Sequence, residues 1–161
     1  MIATVGIRSD YLHTMLDPVT AMPVFSRMLE DIDRSKVEYD AIAFTGVSGA
    51  LIAPVLSMLS GKPLIVVRKS AHESSHSLLK VEGCFNAATY IIADDFVATG
   101  QTLHNIVSSI TAWSKAKCVG FIGMRPDSFD RSFNAEDKDG LNVEIPNLAY
   151  VEMETRPLWH D

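Results

Sequence analysis

The chain is short of the features that mark several large protein classes. It has two cysteines in 161 residues, Cys84 and Cys118, too few for a disulfide framework and in no metal-type spacing. No apolar run approaches the ~20 residues that a membrane span needs. The opening MIATVGIRSD lacks the basic region and long apolar stretch of a signal peptide. Lysine and arginine number 14 against 20 acidic residues, and the net charge of −6 comes without a basic stripe. A general nucleic-acid surface is therefore not expected, although a local cationic pocket is not forbidden. Repeats and low-complexity segments are absent as well. What remains is a chain of 47% hydrophobic and 21% charged residues, long enough for one domain with a real core. A cytoplasmic protein without a membrane partner is expected.

What is present concentrates in residues 90–103, YIIADDFVATGQTL. Tyr90, Ile91, Ile92 and Ala93 suit a buried parallel strand. Adjacent carboxylates follow, Asp94 and Asp95, then a turn of small residues, Ala98, Thr99, Gly100, Gln101 and Thr102. Leu103, Ile106, Val107, Ile110 and Trp113 then repeat at helical spacing. A helix start offers unbonded N–H groups and the positive end of the helix dipole, which suits a phosphate. Gly100 lets the backbone come close, and the two threonines add hydroxyl donors. The carboxylates accept hydrogen bonds from vicinal sugar hydroxyls or hold Mg²⁺ through water. Acceptors for a diol beside donors for a phosphate fit a ribose 5-phosphate.

Two further strand ends carry candidate ligand groups. Residues 39–44 read as a buried strand leading into Thr45, Gly46, Val47, Ser48 and Gly49, a Gly-bracketed turn of the anion-binding kind. Leu51, Ile52, Val55, Leu56 and Leu59 follow on one helical face, with Gly61 placed to stop it. Residues 62–69 form the next strand and close on Arg68 and Lys69, cations where parallel sheets meet ligands. Elsewhere, Ile2 to Ile7 is a plausible strand. Phe25, Met28, Leu29 and Ile32 form a helix behind Thr20 as N-cap, with Pro23 in its first turn. Residues 117–124 form a strand, residues 130–142 an exposed excursion, and residues 148–153 a last strand. Strands alternating with helices predict an α/β fold: a parallel sheet with right-handed crossovers and helices on both faces. Neither a Gly-x4-Gly-Lys-Ser/Thr P-loop nor a Gly-x-Gly-x-x-Gly fingerprint is present.

The stretch IIADDFVATGQT resembles the PRPP-binding motif of the type I phosphoribosyltransferases, which pairs two acidic residues with a Thr-Gly-x-Thr phosphate loop. The likeness runs in order from Asp40 to Met124. It implies a 5-phosphate site at Ala98, Thr99, Gly100, Gln101 and Thr102, and a pyrophosphate site at Thr45, Gly46, Val47, Ser48, Gly49, Arg68 and Lys69. Asp94, Asp95 and Lys69 would carry the chemistry, with Mg²⁺ held at Asp94 and Asp95 through water. Residues 70–88 match by position the family's closing lid, where His72, Glu73, Ser75, His76 and Ser77 would face the pyrophosphate or the base. Phe96, Arg125 and Asp127 are the base-side candidates; Phe96 could equally be core.

The resemblance implies phosphoribosyl transfer from PRPP to a nitrogenous base, within a homodimer. The lid departs from the family's familiar branches: the Lys-rich orotate loop, the Ser-Tyr pair of hypoxanthine-guanine enzymes and the Gly-Lys-Leu-Pro-Gly of adenine enzymes are all missing. It is most similar to that of short, phage-like members. Ala98 stands where hypoxanthine-guanine enzymes usually carry an acid and where adenine and xanthine enzymes usually carry Ala, which favours a purine. A regulator of the same fold that binds PRPP or a nucleotide without chemistry is the alternative.

Overall fold

The alternation of strands and helices is realised in a computed structural model, which describes residues 12–69, 79–94, 100–123, 132–136 and 142–150. The expected strand at residues 2–7 lies outside them. Helices α1 (His13–Leu16) and α2 (Pro18–Ser35) come first. Asp17, not Thr20, caps α2: its side chain accepts from the Val19 N–H at 3.0 Å, with Pro18 at the first helical position. Thr20 instead donates back to the carbonyls of Thr14 and Asp17. The earlier start leaves Pro23 inside the helix, on its exposed side, beyond the first turn where it was expected.

The remaining elements are β1 (Ala41–Phe44), α3 (Gly46–Ser60), β2 (Leu64–Val67), β3 (Val81–Gly83), β4 (Thr89–Ala93), α4 (Gln101–Trp113), β5 (Lys117–Gly123), β6 (Ser132–Glu136) and β7 (Asn142–Tyr150). They build a seven-stranded sheet in the order β3-β2-β1-β4-β5-β7-β6. The five inner strands pair in parallel, as expected. Both edges are antiparallel, β3 on β2 and β6 on β7, so the sheet is mixed rather than wholly parallel. An antiparallel neighbour needs no crossover helix, which is why these strands leave no βα rhythm in the sequence. The stretch taken as lid thus contains β3. The stretch taken as an exposed excursion contains β6, and the last strand starts at Asn142 rather than Leu148.

Strand residues alternate between two cores, the period-2 rule at work. Ile42, Phe44, Ile91 and Ala93 face the side covered by α2 and α3, with Phe25, Met28, Ile52 and Leu56. Ala41, Ala43, Tyr90 and Ile92 face the other side, under Leu103, Ile106, Val107 and Ile110 of α4. On β1 the two alanines belong to the α4 side, while Ile42 and Phe44 fill the opposite layer. Among the described residues no helix is long and apolar enough to cross a membrane.

Asp40 fastens the entry to the central strands. One carboxylate oxygen accepts from the backbone N–H groups of Ala88 and Thr89, both at 2.9 Å, and from the Thr89 hydroxyl at 3.2 Å. These bonds hold its pKa below the ordinary aspartate value. A depressed carboxylate stabilises the fold above its unfolded pKa, and that contribution is lost as pH falls through the folded one. Asp40→Asn is therefore expected to melt below wild type at pH 7, the gap closing below about pH 4. Thermal unfolding across pH checks this; a gap that persists in acid contradicts it.

Cys118 sits opposite Tyr90 in the β4–β5 register. Burial pushes its thiol up to about 12, so it stays protonated at neutral pH, and the thiolate is the reactive form. Iodoacetamide at pH 8 is expected to label Cys84 in the native protein well ahead of Cys118, and both in denaturant. Mass spectrometry of the labelled peptides reads the order.

Candidate functional site

Chain order and strand order together make a crevice. From β1 the chain passes through α3 to β2 on one side, and from β4 through α4 to β5 on the other. Neighbouring strands β1 and β4 thus send their helices to opposite faces, the switch point at which open α/β sheets bind ligands. Helices α3 and α4 both begin at this end of the sheet. Neither N-cap, Thr45 or Gly100, places a side-chain hydrogen bond on its helix, so the first-turn N–H groups are not taken up by cap side chains.

On the β1 side the turn is tighter than expected, because α3 takes up all of it from Gly46 onward. Thr45 is buried and its hydroxyl donates to the Val67 carbonyl at 2.6 Å, tying the end of β1 to the end of β2. That hydroxyl braces the site. Gly46 has φ +68°, a left-handed conformation open to glycine at little cost. A methyl group there would lie 3.0 Å from Lys69 Cε and 3.3 Å from Nζ, so the lysine ammonium rests over the bare backbone of Gly46. Val47 is exposed and Ser48 half-buried in the first turn. Gly49 is packed: a methyl there would meet Phe44 Cβ at 3.0 Å and the Ala93 carbonyl at 3.3 Å. The glycine thus lets α3 sit directly over the ends of β1 and β4.

The two cations at the end of β2 part company. Arg68 forms an ion pair with Glu82 of β3, and its N–H donates to the Lys80 carbonyl at 2.9 Å. Lys69 reaches the opposite way, to Gly46. Of the residues expected at the pyrophosphate, the structure brings Lys69 to Gly46, places Ser48 in the first turn of α3 and draws the Arg68 side chain to Glu82 at the sheet edge.

On the β4 side, Asp94 extends the ladder, its N–H donating to the Ile122 carbonyl at 3.1 Å. Its side chain is buried, with 4% exposure, at the carboxyl end of the central strand. Gly100, at φ +71°, turns the chain into α4, and Gln101 and Thr102 occupy its first turn. The Gln101 side-chain amide donates to Asn105 Oδ1 at 3.1 Å. Asp95, Phe96, Ala98 and Thr99 lie outside the described residues. So do His72, Glu73, Ser75, His76 and Ser77 of the expected lid, and Arg125 and Asp127 on the base side. Two residues that the sequence reading passed over shape the sheet, Glu82 at this end and Asp40 at the opposite one. Glu82 engages Arg68, and Asp40 fixes the start of β4. Neither carried a signal, since each partner lies across a strand pairing.

Adjacent β2, β1 and β4 stand about 5 Å apart. The ends of these neighbouring strands thus carry Lys69, the start of α3 and the buried Asp94.

No protein-family model matches the chain. A hypoxanthine/guanine phosphoribosyltransferase of Methanobrevibacter ruminantium is 32% identical over 140 residues, 80% of this chain and 72% of that protein. Among solved structures, the UMP synthase of Leishmania donovani superposes with a TM-score of 0.58 at 20% identity, over 71% of this chain and 24% of that one. The orotate phosphoribosyltransferase of Francisella tularensis gives 0.57 at 15% identity, over 78% of this chain and 58% of that one. The adenine phosphoribosyltransferase of Saccharomyces cerevisiae gives 0.57 at 20% identity, over 76% and 78%. The chain thus spans less than two thirds of the first two solved proteins, and at these identities the structural likeness speaks to fold alone.

Proposed function

The chain belongs to the type I phosphoribosyltransferase family, and from that premise we propose that it transfers phosphoribose from PRPP to a purine base and releases pyrophosphate. The observation that carries this reading is the β1/β4 crevice, where α3 starts at Gly46 with Lys69 resting over it and the neighbouring strand β4 ends on the buried Asp94. In the reaction the bond from the anomeric carbon to pyrophosphate oxygen breaks, with the electron pair leaving on pyrophosphate, and a bond to a base nitrogen forms; the base's N–H proton passes to solvent. Positive charge develops on the sugar and negative charge on the leaving group, so catalysis is largely charge placement. Lys69 and the first N–H groups of α3 meet the pyrophosphate. Asp94 and Asp95 accept from the ribose hydroxyls and favour the developing cation. Residues Ala98 to Thr102 hold the 5-phosphate, so binding energy far from the reacting carbon positions it.

Mg²⁺ belongs to this proposal. Among the described residues no group of three or more His, Cys, Asp or Glu side chains could hold a metal by itself. Asp94 supplies hard oxygen donors, which fits an ion that takes most of its shell from substrate oxygens and water. Bound there, it would neutralise charge on the leaving pyrophosphate. A homodimeric, cytoplasmic protein is part of the same reading, and light scattering checks the first.

The relative from M. ruminantium is a hypoxanthine/guanine enzyme, whereas Ala98 resembles the adenine and xanthine branch. Pyrophosphate release from PRPP and Mg²⁺, run against adenine, xanthine, guanine, hypoxanthine, uracil and orotate, tests the transfer and names the base. Release with a purine is expected. PRPP raising the melting temperature without release for any base would favour a non-catalytic PRPP-binding regulator. Absence of both release and stabilisation would sink the assignment.

Gly46→Ala tests the pyrophosphate side. The left-handed conformation costs an alanine about 1–2 kcal/mol, and the new methyl displaces Lys69. PRPP affinity is expected to fall about tenfold in calorimetric titration, with only a modest drop in melting temperature.

A further inference from the structure

We infer that Glu82 is a positioning residue for the pyrophosphate end of the site, acting on Lys69 through Arg68. The inference rests on the transferase reading above. Three ties converge on the two residues before Lys69. The Val67 carbonyl accepts from the buried Thr45 hydroxyl at 2.6 Å. The Arg68 N–H donates to the Lys80 carbonyl at 2.9 Å. The Arg68 guanidinium is held by the Glu82 carboxylate on the adjoining strand.

In the β2–β3 register, Val66 faces Glu82 and Val67 faces Val81. Residues 66, 68, 80 and 82 therefore share one side of the sheet, and Arg68 reaches diagonally to Glu82. Arg68 and Lys80 stand across from each other with the same charge, a repulsive pair that Glu82 offsets. The next residue, Lys69, rests over Gly46. With the guanidinium held at the edge, Lys69 is the cation directed at the crevice.

Both partners keep about a third of their side-chain surface exposed, 33% and 35%. A pair that open to water adds little to global stability, so its effect should appear in the aim of the neighbouring lysine rather than in the melting temperature. Loss of the carboxylate removes the ion pair that draws Arg68 to β3, one of the three ties.

The test compares wild type, Glu82→Gln and the charge-swapped double variant Arg68→Glu with Glu82→Arg, all as full-length protein with Mg²⁺. Calorimetric titration with PRPP and with ribose 5-phosphate is the readout, beside unfolding without ligand. Glu82→Gln is expected to weaken PRPP binding about tenfold and to leave ribose 5-phosphate binding, which never reaches Lys69, unchanged. The swapped pair is expected to recover most of the loss. Unchanged PRPP affinity in Glu82→Gln overturns the inference. So does an equal loss for both ligands, or a loss that tracks a lower melting temperature, since each marks a general structural role. A wild-type protein that binds ribose 5-phosphate but not PRPP, or neither, overturns the transferase reading itself, whatever the variants do.

Discussion

Asp94→Asn is expected to lower the rate of pyrophosphate release by about 100-fold or more while the protein keeps its fold. The backbone supports the second half of that statement. The Asp94 N–H continues the β4–β5 ladder to the Ile122 carbonyl at 3.1 Å, and an asparagine preserves that bond and nearly the same volume. What changes is charge. Asp94 is 4% exposed, so its carboxylate acts at short range with little water to screen it. In the proposed reaction, charge developing on the ribose ring in the transition state would be felt strongly there, and an amide offers only a dipole in its place. An amide oxygen still accepts from a ribose hydroxyl, so ground-state binding should suffer less than turnover: kcat falls far more than the affinity for PRPP. Steady-state rates beside calorimetric titration separate the two. A large loss of PRPP affinity with kcat preserved would recast Asp94 as a ground-state binding group. Wild-type rate and affinity in the Asp94→Asn/Asp95→Asn double variant would remove both carboxylates from the mechanism.

The inner sheet was legible because its signals are local. The buried runs of β1, β2, β4 and β5, each followed by glycine, charge or a polar turn, can be read without knowing what pairs with what. The helical spacing of Leu103, Ile106, Val107 and Ile110 maps onto one buried face of α4. Both edges escaped for the opposite reason. β3 is three residues, Val81–Gly83, of which only Val81 is buried, so alternation has no room to show. β6 sets Ala135 in the core and leaves Asn134 and Glu136 to solvent, a pattern that reads as polar excursion until Phe133 is seen edge-on against Phe121 and His104. Leu59, counted with the core face of α3, is exposed at the helix end. The site divides the same way. That acids and cations stand at strand ends follows from the sequence. That Arg68 turns to Glu82 while Lys69 turns to Gly46 depends on which strand lies next to β2, and β3 is the strand that could not be read.

That strand depends on one glycine, and Gly83→Ala is expected to be among the most destabilising single-methyl changes in the chain. Gly83 has φ +117°, outside the range that side-chain-bearing residues adopt comfortably. A methyl group there would lie 2.2 Å from the Leu64 carbonyl oxygen and 3.2 Å from Ile65 Cα. Both neighbours are backbone, so no rotamer change relieves the contact; the strand must move. The Leu64 carbonyl is also the acceptor for the Cys84 N–H at 2.9 Å, and Gly83 pairs with Ile65. Moving β3 away breaks that pairing and carries Glu82 with it. Backbone strain and lost pairing together should cost roughly 3 kcal/mol, or about 6–12 °C of melting temperature for a chain of this length. The loss should reach the site as well. With β3 displaced, Arg68 loses its ion pair with Glu82, and PRPP affinity should fall beyond what Glu82→Gln alone produces. Unfolding and titration on the same preparation read both. A Gly83→Ala protein that melts within a degree of wild type would mean that β3 does not hold this close approach to β2 in solution. The positioning role of Glu82 would fall with it.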